Sequence, residues 1–240
     1  MDIQILLEDS DYIAINKPAG IKIHPDRTAT EYTLIDWVKE HYPALQSVGG
    51  NFELGQGIEG FSRYGIVHRL DKETSGVVWI AKNQEAFDYL QGQIRARKAL
   101  KVYHTFVNGR MKDERGVINK PIGRSSGEKA RWSAGRGSRG TLREAITQYR
   151  VLGFKDGISF LEVMPKTGRT HQIRVHFKAI QHPVVGDSLY APSFVNALGF
   201  TRTALHATRF SFDAKDGKRV VIEAPYPEDF KKAVEAIKAE

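Results

Sequence analysis

The chain has 240 residues, 41% of them hydrophobic and 27% charged, and carries a formal net charge of +8. That length suits one large domain, and that balance excludes a disordered chain. The absence of cysteine excludes disulfides, thiolate nucleophiles and Cys-rich zinc sites, while the positive excess points to a polyanionic partner, nucleic acid before an anionic membrane.

The first residues, "MDIQILLEDSD", have neither a basic leader nor a small-residue cleavage site. No signal peptide is therefore expected, no apolar run reaches the length of a membrane span, and the cytoplasm is the default compartment. "IQILLED" and "DYIAINKP" are short apolar runs around Glu8-Asp9-Ser10-Asp11, which predicts a hairpin. "NKPAGIKIHP", Asn16 to Pro25, ends the second run in a Pro-Ala-Gly turn. "TLIDWVKEHY" suits a short helix, with Leu34, Ile35, Trp37 and Val38 as its apolar residues. The Gly-rich stretch that follows holds "GQGIEG", Gly55 to Gly60, which matches the dinucleotide fingerprint letter for letter. That motif works only between a strand and a helix. Here "FSRYGIVHRL" follows without helical period, so a loop is the better reading.

"VHRLDKETSGVVWIAK" sets the acid Asp71 among His68, Arg69 and Lys72, then runs through Thr74-Ser75-Gly76 into an apolar strand. A carboxylate held at the rim of a sheet with cations around it is a candidate for chemistry. Asn83 then reads as the N-cap of a helix with Phe87, Leu90 and Ile94 at helical spacing. "KVYHTFVNG" reads as a strand. Between Lys120 and Arg143 lie Arg124, Lys129, Arg131, Arg136 and Arg139, among Gly and Ser with Glu128 the only acid. This reads as a mobile basic loop that could follow a phosphate backbone, or equally as a solvated, poorly ordered insertion.

Two hairpins follow, one turning at Lys155-Asp156-Gly157 and one at Asp216-Gly217. Between them, "KTGRTHQIRVH" predicts a basic turn with Gly168 at positive φ, then a strand. Gln172, Arg174 and His176 alternate with Ile173, Val175 and Phe177, giving the strand an apolar and a basic face. An arginine on such a face is a natural two-point partner for a carboxylate. "PEDFKKAVEAIKAE" ends the chain as an amphipathic helix carrying Phe230, Val234 and Ile237. Strands arrive as hairpins without regular strand–helix alternation. The expected fold is α+β: one domain over residues 1–240, on a mixed, largely antiparallel β-sheet flanked by helices. The eight histidines offer no pair at metal-ligand spacing, so no metal site is expected.

Four of these pieces, in this order, resemble the RluA-type family of pseudouridine synthases. "NKPAGIKIHP" is similar to its first motif and "HRLDKETSG" to its central one, "KVYHTFVNG" has a Tyr at the family's position, and "KTGRTHQIRVH", followed further on by "HPVVGDSLY" and "LHA", is similar to its C-terminal motifs. Many relatives carry an S4-type RNA-binding domain first, and no separate RNA-binding domain is expected here.

The resemblance implies conversion of a uridine in RNA to pseudouridine, with no cofactor and no metal. It makes Asp71 the nucleophile, attacking either C1′ of the sugar or C6 of the base. It makes Arg174 the cation paired with that carboxylate, with Arg169 as the alternative. Tyr103 is implied to lie against the target base, its hydroxyl placed to help remove the C5 proton. Arg69 is implied to enter the space left by the extruded base. His68, Lys17, Arg169, Lys120, Arg124 and Arg131 are further expected RNA contacts. The expected RNA is ribosomal, with the large subunit first, or transfer RNA, or both, and the expected state is a monomer without membrane contact. The rival from another class is a catalytically inactive RNA-binding module of the same fold. It would keep the charge but has no reason to keep Asp71, Tyr103 and Arg174 together.

Overall fold

The computed structural model describes all residues except 26–30, 52–59, 128–130, 136, 193–197 and 239–240. The hairpin forms as expected: strands β1 (Gln4–Glu8) and β2 (Tyr12–Lys17) pair antiparallel, and Asp9 Oδ1 accepts from the Asp11 and Tyr12 amides to close the turn. Helix α1 (Leu34–His41) starts at a reciprocal Thr33–Asp36 capping box, and a 3-10 turn, Pro43–Ser47, follows it. Strand β3 (Ser75–Ala81) leads to helix α2 (Gln84–Arg95), whose N-cap is Asn83. Strands β4 (Leu100–Asn108), β5 (Arg115–Asn119), β6 (Ile122–Ser125), β7 (Trp132–Ala134), β8 (Ser138–Arg143), β9 (Ile146–Lys155) and β10 (Ile158–Pro165) follow. Helix α3 (Gln172–Ala179), strands β11 (Leu205–Asp213) and β12 (Arg219–Glu223) and helix α4 (Glu228–Lys238) complete the chain. The architecture is α+β, and the pairings described below are all antiparallel. No helix among the described residues is long and apolar enough to cross a membrane.

The chain forms two compact units. The first comprises Met1–Ala99 and Thr208–Pro225. Its strand order is β1-β2-β3-β11, with β12 beyond β11. All seven residues of β3 are buried, and Trp79 meets Tyr12 and Phe212 edge-on at 5.7 and 5.1 Å. The second comprises Leu100–Ala207 and Tyr226–Glu240. Its strands run in the order β4-β10-β9-β5, and Phe106, Phe160, Phe177, Phe200, Phe230 and Ile237 are among its core. The β9–β10 turn takes Asp156 to φ 48° and Gly157 to φ 76°, the left-handed pair that a tight hairpin requires.

Three expectations fail. Residues 172–177 are helix, not strand, because both alternating sets are buried and their polar members find partners inside the protein. Alternation therefore marks no solvent face there. The left-handed residue of that segment is His171, at φ 55°, not Gly168. The basic stretch is not a loop either: β6 pairs with β7 and β8 in a small three-stranded sheet. Its Ile122 and Ala134 pack against Ala145, Val175 and Tyr190, and that burial anchors strands that would be too short to persist alone. Lys129 and Arg136, and most of "GQGIEG", lie outside the described residues.

Candidate active site

In the first unit, Asp71 sits half-buried at the start of the turn that feeds β3. Its carbonyl accepts from the Thr74 amide at 3.1 Å, closing a four-residue turn. Gly76 then enters the strand at φ 114°, a conformation that side chains with a Cβ rarely adopt. The neighbouring Lys72 carbonyl is held twice, by the Gly20 amide at 2.9 Å and by Lys17 Nζ at 3.2 Å. Lys17 is fully buried, and its ammonium also donates to the Pro18 and Ile21 carbonyls at 2.8 and 2.9 Å. The expected RNA contact at Lys17 is thus corrected. Its ammonium is buried and holds backbone oxygens, and it ties the Pro-Ala-Gly turn to the Asp71 turn.

His68 is likewise occupied inside the unit. Its ring stacks on Phe210 at 4.9 Å, and its Nε2 accepts from the Trp79 amide at 3.2 Å. That fixes the segment entering the turn and leaves the residue half-buried. Arg69 is exposed, and its Nη1 donates to His24 Nε2 at 3.2 Å. Lys72 Nζ lies 3.1 Å from Glu31, which Lys22 also reaches at 3.0 Å. The unit therefore presents a carboxylate on a turn pinned from behind, with one exposed guanidinium two residues before it. Thr74 Oγ1, buried in the same turn, has no hydrogen-bond partner among the described residues.

In the second unit, Tyr103 is half-buried on β4 opposite Val163. Lys101 precedes it by two residues and so shares its face of the strand. Burial holds the Lys101 ammonium below the ordinary lysine pKa. Arg174 is buried on α3, not exposed on a strand. Asp187 engages it at two points, Nε to Oδ2 at 2.7 Å and Nη2 to Oδ1 at 2.8 Å, and its guanidinium lies 5.0 Å from the centre of the Tyr190 ring.

Arg169 is half-buried, with its Nε donating to the Glu144 carbonyl at 2.9 Å. Lys120 is half-buried, and its carbonyl takes the Nε2 proton of His176 at 2.9 Å. Arg131 is half-buried just before β7, and Arg124 is exposed on β6.

Sequence reasoning missed the residues that hold these side chains in place. Asp187 also accepts from the amides of Leu189 and Tyr190 at 3.1 and 3.0 Å. The acid-before-turn pattern in "GDSLY" is the signal for such a side-chain-to-backbone turn. Gln172 is buried and makes four hydrogen bonds. Its Oε1 accepts from the Thr167 hydroxyl and the Arg169 amide, and its Nε2 donates to Ile146 O and Thr147 Oγ1. It clamps the turn that carries Arg169, a role hidden behind its apparent strand position.

A family model described as RNA pseudouridylate synthase matches residues 11–179. An uncharacterized RNA pseudouridine synthase of Synechocystis is 38% identical over 232 residues, covering 96% of this chain and 67% of its own. Ribosomal large subunit pseudouridine synthase D of Pseudomonas aeruginosa is 34% identical over 242 residues, covering 96% of this chain and 70% of its own. Among solved structures, human RNA pseudouridylate synthase domain containing 1 aligns with a TM-score of 0.74 at 24% identity, covering 100% of this chain and 96% of the other. That last likeness speaks for the fold. The family match spans the Asp71 turn, Tyr103 and Arg174, and the sequence relatives extend over nearly the whole chain: it belongs to the RNA pseudouridylate synthase family, whose members are isomerases.

Proposed function

We propose that this protein converts a chosen uridine of ribosomal RNA, in the large subunit, to pseudouridine, with Asp71 as the nucleophile. The N1–C1′ bond of the uridine breaks, the base turns, and a C5–C1′ bond forms. C5 gives up its proton and N1 gains one, so the reaction is balanced without a co-reactant. The single observation that carries this reading is a carboxylate held on a doubly pinned turn, inside the span that matches the family. A nucleophile that must meet an extruded base gains from such rigidity, because small misplacements cost rate steeply.

In this reading Tyr103 stacks on the base and its hydroxyl assists at C5. Arg174 offsets the charge of Asp71, with Arg169 as the alternative cation. Arg69 fills the space the base leaves, since extrusion costs roughly a few kcal/mol that a planar guanidinium helps to offset. Residues 1–240 serve as one catalytic domain. The ribosomal preference is supported by the large-subunit synthases among the relatives. A transfer-RNA substrate is the second reading, and an inactive RNA-binding module the third.

The test uses transcripts of large-subunit rRNA fragments and of tRNAs labelled with tritium at uridine C5. Incubated with the protein and with Asp71→Asn, they should release tritium to water with the parent alone, and from the ribosomal transcripts. Release from tRNA only would replace the substrate assignment. Release by Asp71→Asn would overturn the nucleophile. Binding without any release would favour the inactive module.

A further inference from the structure

Strands β6, β7 and β8 set Trp132, Arg124 and Arg139 in one row across the small sheet, since Arg124 is in register with both of the others. Arg143 pairs with Ile122 in the next row. Cross-strand partners lie on the same face. That face is covered at one end, where Ile122 and Ala134 are buried, and open at the other, where Arg124 and Arg139 are exposed. Arg143 is exposed as well. None of these three arginines forms an ion pair with a carboxylate among the described residues, and the described residues of the three strands include no acid. The Arg124 guanidinium lies 4.3 Å from the centre of the Trp132 ring, which holds it on the sheet.

Folding alone does not explain this arrangement. Neighbouring strands are about 4.8 Å apart, and like charges placed directly opposite each other destabilise a sheet. Arg124 and Arg139 are such a pair. An anion shared between them removes the repulsion, and a row of guanidinium groups beside an aromatic ring is the chemistry that follows a nucleic-acid backbone.

We propose that the exposed part of the β7-β6-β8 sheet, the Arg124–Arg139 row together with the end of β8, is a docking surface for the phosphate backbone of the RNA substrate, with Arg124, Arg139 and Arg143 binding its phosphates. It rests on the reading of this protein as an RNA-modifying enzyme and adds a second place where RNA is held, on a different element from the Asp71 turn. RNA is favoured over an anionic membrane because, among the described residues of the three strands, Leu142 alone is an exposed large apolar side chain, too little to enter a bilayer.

The experiment measures binding of a large-subunit rRNA transcript across salt concentrations for the parent, R124Q/R139Q/R143Q and R124K/R139K/R143K. The glutamine variant should raise Kd at moderate salt by on the order of tenfold. It should also make the dependence of log Kd on log salt shallower by about 2, at about 0.7 for each phosphate no longer neutralised. The lysine variant, which keeps the charge, should keep the parent's salt dependence and so controls for folding. A glutamine variant with the parent's Kd and salt dependence overturns the proposal. A lysine variant that binds as weakly as the glutamine variant overturns it too, because charge would not be the basis. Unchanged RNA affinity with abolished binding to phosphatidylserine vesicles overturns it in favour of a lipid surface. Tritium release by the parent reports separately on the synthase reading: RNA binding without release retires the reaction, while release with unaltered affinity in the glutamine variant retires the surface.

Discussion

Arg174 and Asp187 form a buried two-point ion pair, with Nε–Oδ2 and Nη2–Oδ1 distances of 2.7 and 2.8 Å. The carboxylate shows no exposed side-chain surface, and it also binds two backbone amides of the turn that follows. The guanidinium plane is thus set by a residue thirteen positions along the chain. Breaking such a pair leaves a buried charge uncompensated and costs about 3 kcal/mol. Asp187→Asn should therefore lower the thermal midpoint by several degrees and reduce tritium release, while Asp187→Glu, one methylene too long for the turn, should not restore either. Thermal unfolding beside the release assay checks both.

Lys17 distinguishes a buried cation from a surface one. Lys17→Met leaves the Pro18 and Ile21 carbonyls without their donor and frees one of two holds on the Lys72 carbonyl. The expected loss is about 2–4 kcal/mol of stability, from orphaned buried acceptors at about 1–3 each. Turnover should fall with it, because the Asp71 turn loses an anchor. The salt dependence of RNA binding should stay as in the parent. A shallower dependence would return Lys17 to the RNA surface.

Thr74 offers the opposite prospect. Its buried hydroxyl has no partner among the described residues, which costs the fold about 1 kcal/mol or more. Thr74→Val keeps the shape and removes the unsatisfied group. The melting temperature should rise or hold; a clear fall would mean that the hydroxyl is bonded in solution.

His176 gives the stability a pH dependence. Its Nε2–H donates to Lys120 O and its Nδ1 takes the Thr147 hydroxyl, so the neutral ring is the form that fits. Burial holds its pKa below the ordinary 6.5, against the pull of the Lys120 carbonyl. The unfolded chain therefore binds the proton more readily, and this contribution to stability, complete above pH 6.5, is lost as pH falls towards the folded pKa. Melting temperatures measured from pH 8 to 4 should decline more steeply in the parent than in His176→Gln.

What the sequence disclosed follows from how local each cause is. Asn83 caps α2 through a bond spanning three residues, and Asp156-Gly157 turns its hairpin through its own backbone angles. Both were legible. Helix α3 was not, because Gln172, Arg174 and His176 are satisfied by Thr167, Asp187 and Thr147, partners found only after folding. The small sheet escaped notice for a related reason: Gly-rich, arginine-rich strands show no alternation, and only pairing with β6 organises them. Motifs located Asp71, yet the bonds that hold its turn run through Lys17 and Gly20, more than fifty residues earlier.

The Arg124–Trp132 stack has a spectroscopic consequence. The chain has three tryptophans. Trp37 and Trp79 are 3% and 0% exposed, whereas Trp132 is only half-buried and lies under a guanidinium. Excitation of the native protein therefore yields one emitter whose surroundings change when a ligand reaches the sheet, and two that keep theirs. Intrinsic fluorescence becomes a label-free reporter of that surface, with Trp132→Phe as the silent control.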